Sequence, residues 1–123
     1  MSRRMAAVRR WLDAKPGAVP VLLSARKGSP PISAMYKVKG KIFAIVSLRE
    51  TEFVILKCDP HLATVLRAQY EGVGHRSHLD RRFWISIDLD SDVPSSEIKR
   101  LISHSYELVC ATLTAKQKTE LGR

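Results

Sequence analysis

Residues 35–58 constrain the chain more than any other stretch. They read Met-Tyr-Lys-Val-Lys-Gly-Lys-Ile-Phe-Ala-Ile-Val-Ser-Leu-Arg-Glu-Thr-Glu-Phe-Val-Ile-Leu-Lys-Cys. β-branched and aromatic residues dominate, and two polar breaks punctuate them. Lys39-Gly40-Lys41 is the first break, where Gly40 can take a positive φ. Arg49-Glu50-Thr51-Glu52 is the second. The pattern predicts three antiparallel strands, roughly 34–38, 42–48 and 53–57. The run Ile42–Val46 is apolar on both faces, as a central strand requires. The rest of the chain has to pack on this meander.

The flanks predict helices and two further strands. Residues 3–14 place Met5, Val8, Trp11 and Leu12 on one stripe, with Arg3, Arg4, Arg9 and Arg10 on a solvated side. Those arginines could face a phosphate backbone or simply water. Lys15-Pro16-Gly17 stops the helix. Val21-Leu22-Leu23 reads as a short edge strand, with Pro20 tolerated at its start. Arg26 and Lys27 lie in a Gly/Ser/Pro loop, either a basic wing or a plain connector. Asp59-Pro60 opens a second helix with Leu62, Val65 and Leu66 buried and Gly72 at its stop. Ile85–Leu89 alternates as a strand with one wet face. Pro94–Thr112 is the longest helix, buried through Ile98, Leu101, Ile102, Ser105, Leu108, Val109 and Leu113. Residues 114–123 form a short polar helix or a frayed tail.

A length of 123 residues predicts one domain. The longest uninterrupted apolar run, Ile42–Val46, falls far short of the roughly 20 residues that cross a bilayer. The N-terminus has arginines but no apolar core of a signal peptide. Cys58 and Cys110 make no disulfide framework and are expected to be reduced and buried, which points to the cytoplasm. The most informative quantity is charge: 21 Lys and Arg against 12 Asp and Glu, net +9. Such a balance favours a polyanionic partner, DNA first, RNA or an acidic protein after it.

Candidate chemistry is thin. His75-x-x-His78 with Asp80 lacks the third and fourth ligands and spacing of a zinc site, so no metal is expected. Neither cysteine sits in an activating context, and the chain has no phosphate loop and no nucleophile elbow. No cofactor and no catalysis are expected. The stronger pattern is basic. Lys37, Lys39 and Lys41 crowd the first hairpin tip, while Arg76, Arg81 and Arg82 crowd the loop before Trp84. Cations on loop tips can neutralise phosphates, and a β-hairpin can enter a groove. Trp84 could stack on a base or fill the core.

Several marks together resemble the MmcQ/YjbR-like family of small bacterial proteins. They are Lys15-Pro16-Gly17, then Val38-x-Gly40-Lys41-x-Phe43-Ala44, then Leu56-Lys57-Cys58-Asp59-Pro60, and Ser105-Tyr106 in the last long helix. His78-Leu79-Asp80-Arg81-x-x-Trp84 is similar to the family's His-[Leu/Met]-Asn-Lys-x-His-Trp stretch, with Asp80 in place of Asn and Phe83 in place of His. The resemblance covers about residues 10–113. It implies a single α+β domain over residues 1–123: an antiparallel sheet of about five to six strands packed against helices, frataxin-like in outline. It also implies a DNA-binding role through two β-hairpin wings, and it carries over Lys41, Lys57, His78, Arg81 and Trp84. An acid at Asp80 would repel a phosphate, whereas Arg26-Lys27 adds positive charge. Four arginines on the first helix disfavour frataxin-like iron binding, which needs an acidic ridge there.

The expected function is therefore low-specificity nucleic-acid binding by a monomer. Two alternatives stay open: a protein-interaction module, which the chaperone-like outline suggests, and a small-molecule site or enzyme near His78 and Trp84.

Overall fold

The computed structural model describes residues 1–123. The elements run α1 (Arg3–Asp13), β1 (Ala18–Ser24), β2 (Pro31–Val38), β3 (Lys41–Ser47), β4 (Phe53–Lys57), α2 (Pro60–Gln69), β5 (Val73–Gly74), β6 (Trp84–Asp88), α3 (Ser95–Cys110) and α4 (Ala115–Glu120). All strand pairs are antiparallel, and the six-stranded sheet has the order β1-β2-β3-β4-β6-β5.

Pleat alternation decides which side chains meet the helices. Ala34, Tyr36 and Val38 of β2 are buried, as are Val54 and Leu56 of β4 and Ile85 and Ile87 of β6. They join Met5, Val8 and Leu12 of α1, Ala63 and Leu66 of α2, and Ile98, Leu101, Ile102, Tyr106 and Val109 of α3 in one apolar cluster. Tyr36, Phe43 and Tyr106 stack edge to face through its centre, with centroids 6.3 and 5.3 Å apart.

The meander is a real hairpin series, and its first turn is tighter than three residues. Lys39 (φ 50) and Gly40 (φ 79) both adopt left-handed backbone, as a two-residue turn between twisted strands demands. One irregularity matters more. The β2–β3 register slips between Tyr36 and Lys37, which leaves Phe43 as an extra residue on β3. Phe43 and Ala44 are both buried as a result. The β3–β4 ladder stops at Ala44–Leu56, so the next groups along have no strand partner. Ser105 of α3 fills the gap. Its hydroxyl accepts from the Lys57 N–H at 2.9 Å and donates to the Phe43 carbonyl at 2.6 Å.

Several sequence expectations need correction. β1 has seven residues rather than three, and Pro20 sits inside it. Arg4 and Arg9 are not on a solvated side. Arg4 donates to the Leu89 carbonyl at 2.6 Å and to the Val93 carbonyl, and Arg9 Nε donates to Tyr36 Oη at 3.3 Å. Arginine's long stem lets a basic position clamp neighbouring backbone. On α2, Ala63 takes the buried place expected of Val65, which is exposed. That helix ends at Gln69 with Tyr70 extended at its cap, so Gly72 is not its stop. A Cβ on Gly72 would lie 2.1 Å from Ser91 Oγ, so close chain approach explains the glycine. The wet face expected of β6 is not wet at Ser86, which is buried.

The C-terminal residues form a true helix. Thr114 and Gln117 cap α4 reciprocally, at 3.1 and 3.0 Å. The end of the chain closes on its beginning. Tyr106 Oη donates to the Pro16 carbonyl at 2.6 Å, and Leu121 lies where a Cβ on Gly17 would stand.

Candidate nucleic-acid interface

The second face of the sheet carries no helix. Residues opposite one another on neighbouring strands share a face, so the ladder defines a row: Val21, Met35, Ile45, Ile55 and Ser86. Met35 and Ile45 are half-buried. Residues 75–83 run along part of this face. The Arg76 guanidinium lies 5.3 Å from the Phe53 ring, and Arg76 and His78 line an open groove with Ser33, Ile45 and Ser47.

The anticipated basic residues fall at the two ends of this face. Lys37, Lys57 and Trp84 sit at one end, because Lys57 pairs with Trp84 and Lys37 pairs with Ile42, one residue before the Val38–Lys41 pair that closes the hairpin. Lys39, Lys41, Arg81 and Arg82 lie at the same end. Arg76 and His78 lie towards the other end, where the β1–β2 hairpin tip carries Arg26 and Lys27. The five residues of β4 set the separation at about 15 Å, from the rise of an extended strand.

Local contacts sort these cations. Lys39 Nζ pairs with Glu120 at 3.3 Å, and Lys41 Nζ donates to the Thr112 carbonyl and hydroxyl at 3.0 Å each. The first hairpin tip is thus tied to the α3–α4 turn and to α4 and does not stand off as a wing. Arg76 grips Asp88 through two hydrogen bonds of 2.9 and 3.1 Å. Arg82 is held by Asp80 at 2.8 Å and lies 5.2 Å from the Phe83 ring. Arg26, Lys27, Lys37, Lys57 and Arg81 have no acidic partner. Two more observations favour the Lys37–Lys57 end. Trp84 is half-buried but stands outside the apolar cluster that the helices cover. Its carbonyl, and that of Arg81, accept from Arg67 at 3.0 and 2.7 Å, which fixes the chain on both sides of Arg82 and Phe83. Nothing in the sequence marks Arg67 for this role. A lone arginine on a helix gives no sign that its guanidinium reaches under a loop 14 residues away.

The Arg82 side chain and backbone N–H bind the Asp80 carboxyl and hold it far down, at about 2. A depressed carboxylate pKa contributes stability above its unfolded value, and that contribution is lost as pH falls through about 2. The Asp80–Arg82 contact should therefore persist in mild acid. A proton-detected titration of the Asp80 carboxyl should give a midpoint well below the ordinary 3.8, and one near 3.8 would show the contact to be broken in solution. The paired acid also changes the meaning of Asp80. Its charge is spent on Arg82, so it opposes a phosphate less than the sequence suggests.

The cysteines are free and buried. Burial, followed by the neighbouring Asp59 charge, pushes the Cys58 thiol up to about 11, far from a reactive thiolate. No helix is long and apolar enough to cross a membrane.

These features define a class: a small α+β domain whose antiparallel sheet is covered by helices on one side and edged by cations on the other. A family model described as YjbR matches residues 13–108. The chain belongs to the YjbR family. It is 35% identical to the Escherichia coli (strain K12) protein YjbR over 95 residues, 76% of each chain. It is 28% identical to YbdF of Escherichia coli O157:H7 over 85 residues, 68% of this chain and 70% of that one. Among solved structures, a Deinococcus radiodurans protein with a DUF419 domain superposes with a TM-score of 0.83, covering 96% of this chain and 87% of that one at 23% identity. A Pseudomonas syringae protein superposes at 0.67, covering 88% and 98% at 21% identity. At those identities the likeness is one of fold.

Proposed function

We propose that the domain binds nucleic acid, with the helix-free sheet face as the contact surface and the Lys37–Lys57–Trp84 end as its centre. One observation carries the reading: two lysines without acidic partners, Lys37 on β2 and Lys57 on β4, lie at the same end of the sheet face as Trp84 on β6, a tryptophan that the core does not absorb. Lysines supply phosphate contacts and an indole supplies a stacking surface, the combination that suits an unpaired strand. Arg26, Lys27 and Arg81 extend the positive path at its ends, and Arg76 and His78 border the groove between. The reading needs no metal or cofactor and places the protein in the cytoplasm, where DNA or RNA is available and both thiols stay reduced.

The test is fluorescence anisotropy of labelled single strands and duplexes between about 50 and 200 mM salt, where phosphate-dominated binding weakens steeply. A linear log–log slope with preference for single strands is the expected result. Trp84→Ala should then weaken single-strand binding by about 5- to 150-fold, the range a lost base–aromatic stack gives, and change duplex binding less. Absence of binding at the low-salt end would sink the reading.

A second reading, a protein contact, is favoured by one specific observation: Val19, Val21, Leu22 and Leu23 of β1 are all exposed.

A further inference from the structure

Given the nucleic-acid reading, on which this rests, we propose that the groove beside Arg76 seats a nucleobase. One single strand is then held at two points, Trp84 and the Arg76–Phe53 pair. Phe53, Ile55 and Lys57 alternate onto the helix-free face of β4, so Phe53 lies four residues from the Lys57–Trp84 pair. Four rises of an extended strand and one step between strands separate Phe53 from Trp84 by about 14 Å. Phe53 matches Trp84 in a second respect. It is half-buried, yet stands outside the apolar cluster that the helices cover. The face thus carries an unabsorbed aromatic at each end.

Arg76 decides what the groove takes. Its Nε and one Nη donate to the Asp88 carboxylate at 2.9 and 3.1 Å, which spends its charge and fixes its plane. The guanidinium lies over the Phe53 ring, 5.3 Å from the centroid. With 46% of the side chain exposed, it keeps surface for a further layer. Bases stack on guanidinium planes as they do on aromatic rings. Arg76 therefore serves as a planar platform and not as a phosphate contact.

The rest of the lining selects a neutral heterocycle over a free anion. Glu50 lines the groove with Arg49 and offsets it, so little net charge is left to attract a phosphate. Ile45 and Phe53 give an apolar floor, and Ser33 and Ser47 bring hydroxyls to it. The Ser47 hydroxyl donates to the Thr51 carbonyl at 3.2 Å, and its remaining lone pair can accept from a base amino group. Pockets for whole small molecules enclose most of their ligand, whereas this groove is open. An open groove suits one base of a longer chain, whose phosphates continue to Lys37 and Lys57. At the roughly 3.4 Å per nucleotide of a stacked strand, the separation is about four steps, so about five nucleotides reach both ends.

Calorimetric titration with unlabelled strands of about two to eight nucleotides, at about 50 mM salt, tests this. Affinity should climb steeply up to about five nucleotides, where the second stack adds about 5- to 150-fold, and gently beyond. In a strand of that length, removing the base at either end should cost the same factor, and removing the middle base little. Arg76→Lys keeps the charge and loses the plane. It should melt like the parent, bind that strand about 5- to 150-fold more weakly, and abolish the penalty for one end base only. Trp84→Ala should abolish the penalty for the other end, as expected of two separate contacts. An equal gain per nucleotide across the series, equal penalties at end and middle, or Arg76→Lys binding like the parent would overturn the groove as a base site while long strands still bind. Failure of every length to bind would instead take down the nucleic-acid reading, and the second base site with it.

Discussion

Ser105→Ala is expected to cost about 2–4 kcal/mol of stability, because each backbone group orphaned in the interior costs roughly 1–3 kcal/mol. The hydroxyl is fully buried and bridges the two groups that the β3 bulge leaves unpaired, the Lys57 N–H and the Phe43 carbonyl. Removing one oxygen opens little space, so the lost hydrogen bonds dominate over any cavity. Urea unfolding should show a lower midpoint with an unchanged slope, the mark of a native-state loss without a change in exposed surface. A loss below about 1 kcal/mol, no more than an ordinary exposed hydrogen bond, would mean that the two strands close the gap themselves. The variant also bears on the candidate site. Lys57 points its ammonium from the same residue whose N–H the serine holds, so loosening the bridge frees one end of the proposed contact surface.

Reversing Lys37 and Lys57 together, as Lys37→Glu with Lys57→Glu, should weaken single-strand binding by about 100-fold at 50 mM salt, since two phosphate contacts are lost and two repulsions gained. The log–log salt slope should flatten by about 1.4, the two lost contacts at about 0.7 each for single strands. Reversing Lys39 and Lys41 should cost much less. Lys39 already pairs with Glu120, and Lys41 is bound to Thr112, so neither is free to follow a backbone. Equal losses from the two double variants would move the contact surface back to the hairpin tip.

The meander shows where sequence reading succeeds. Its strands are marked by β-branched runs and its turn by Gly40, both local signals. The pattern of α3 is as legible, because six apolar or small residues keep one helical spacing within it, although Leu113, read into the same stripe, lies beyond the helix end. What stayed hidden depended on neighbours distant in the chain. Arg4 and Arg9 look like solvent arginines until Leu89, Val93 and Tyr36 are set beside them. Ser105 reads as a small stripe residue, and only the slip at Tyr36/Lys37 gives its hydroxyl two clients. Gly72 mimics a helix stop because its true reason, Ser91, lies 19 residues on. For the candidate site, residue types were visible and their freedom was not. Lys37 and Lys39 are both lysines of one hairpin, yet Glu120 of α4 occupies one and leaves the other. Residue type alone leaves Trp84 as either core or contact. Its place across from Lys57 is a register fact that only strand pairing supplies.

The closure of the chain's end on its beginning has a consequence for synthesis. Pro16 waits for Tyr106, and Gly17 waits for Leu121. A ribosome delivers residues in order, so the first hairpin emerges long before the helices that clasp it. Until then the sheet face that carries Tyr36, Phe43 and Leu56 lies uncovered, and contacts this distant in sequence form slowly. The nascent domain is therefore most vulnerable to association with its neighbours during translation, and completion of α3 and α4 is the event that ends that interval.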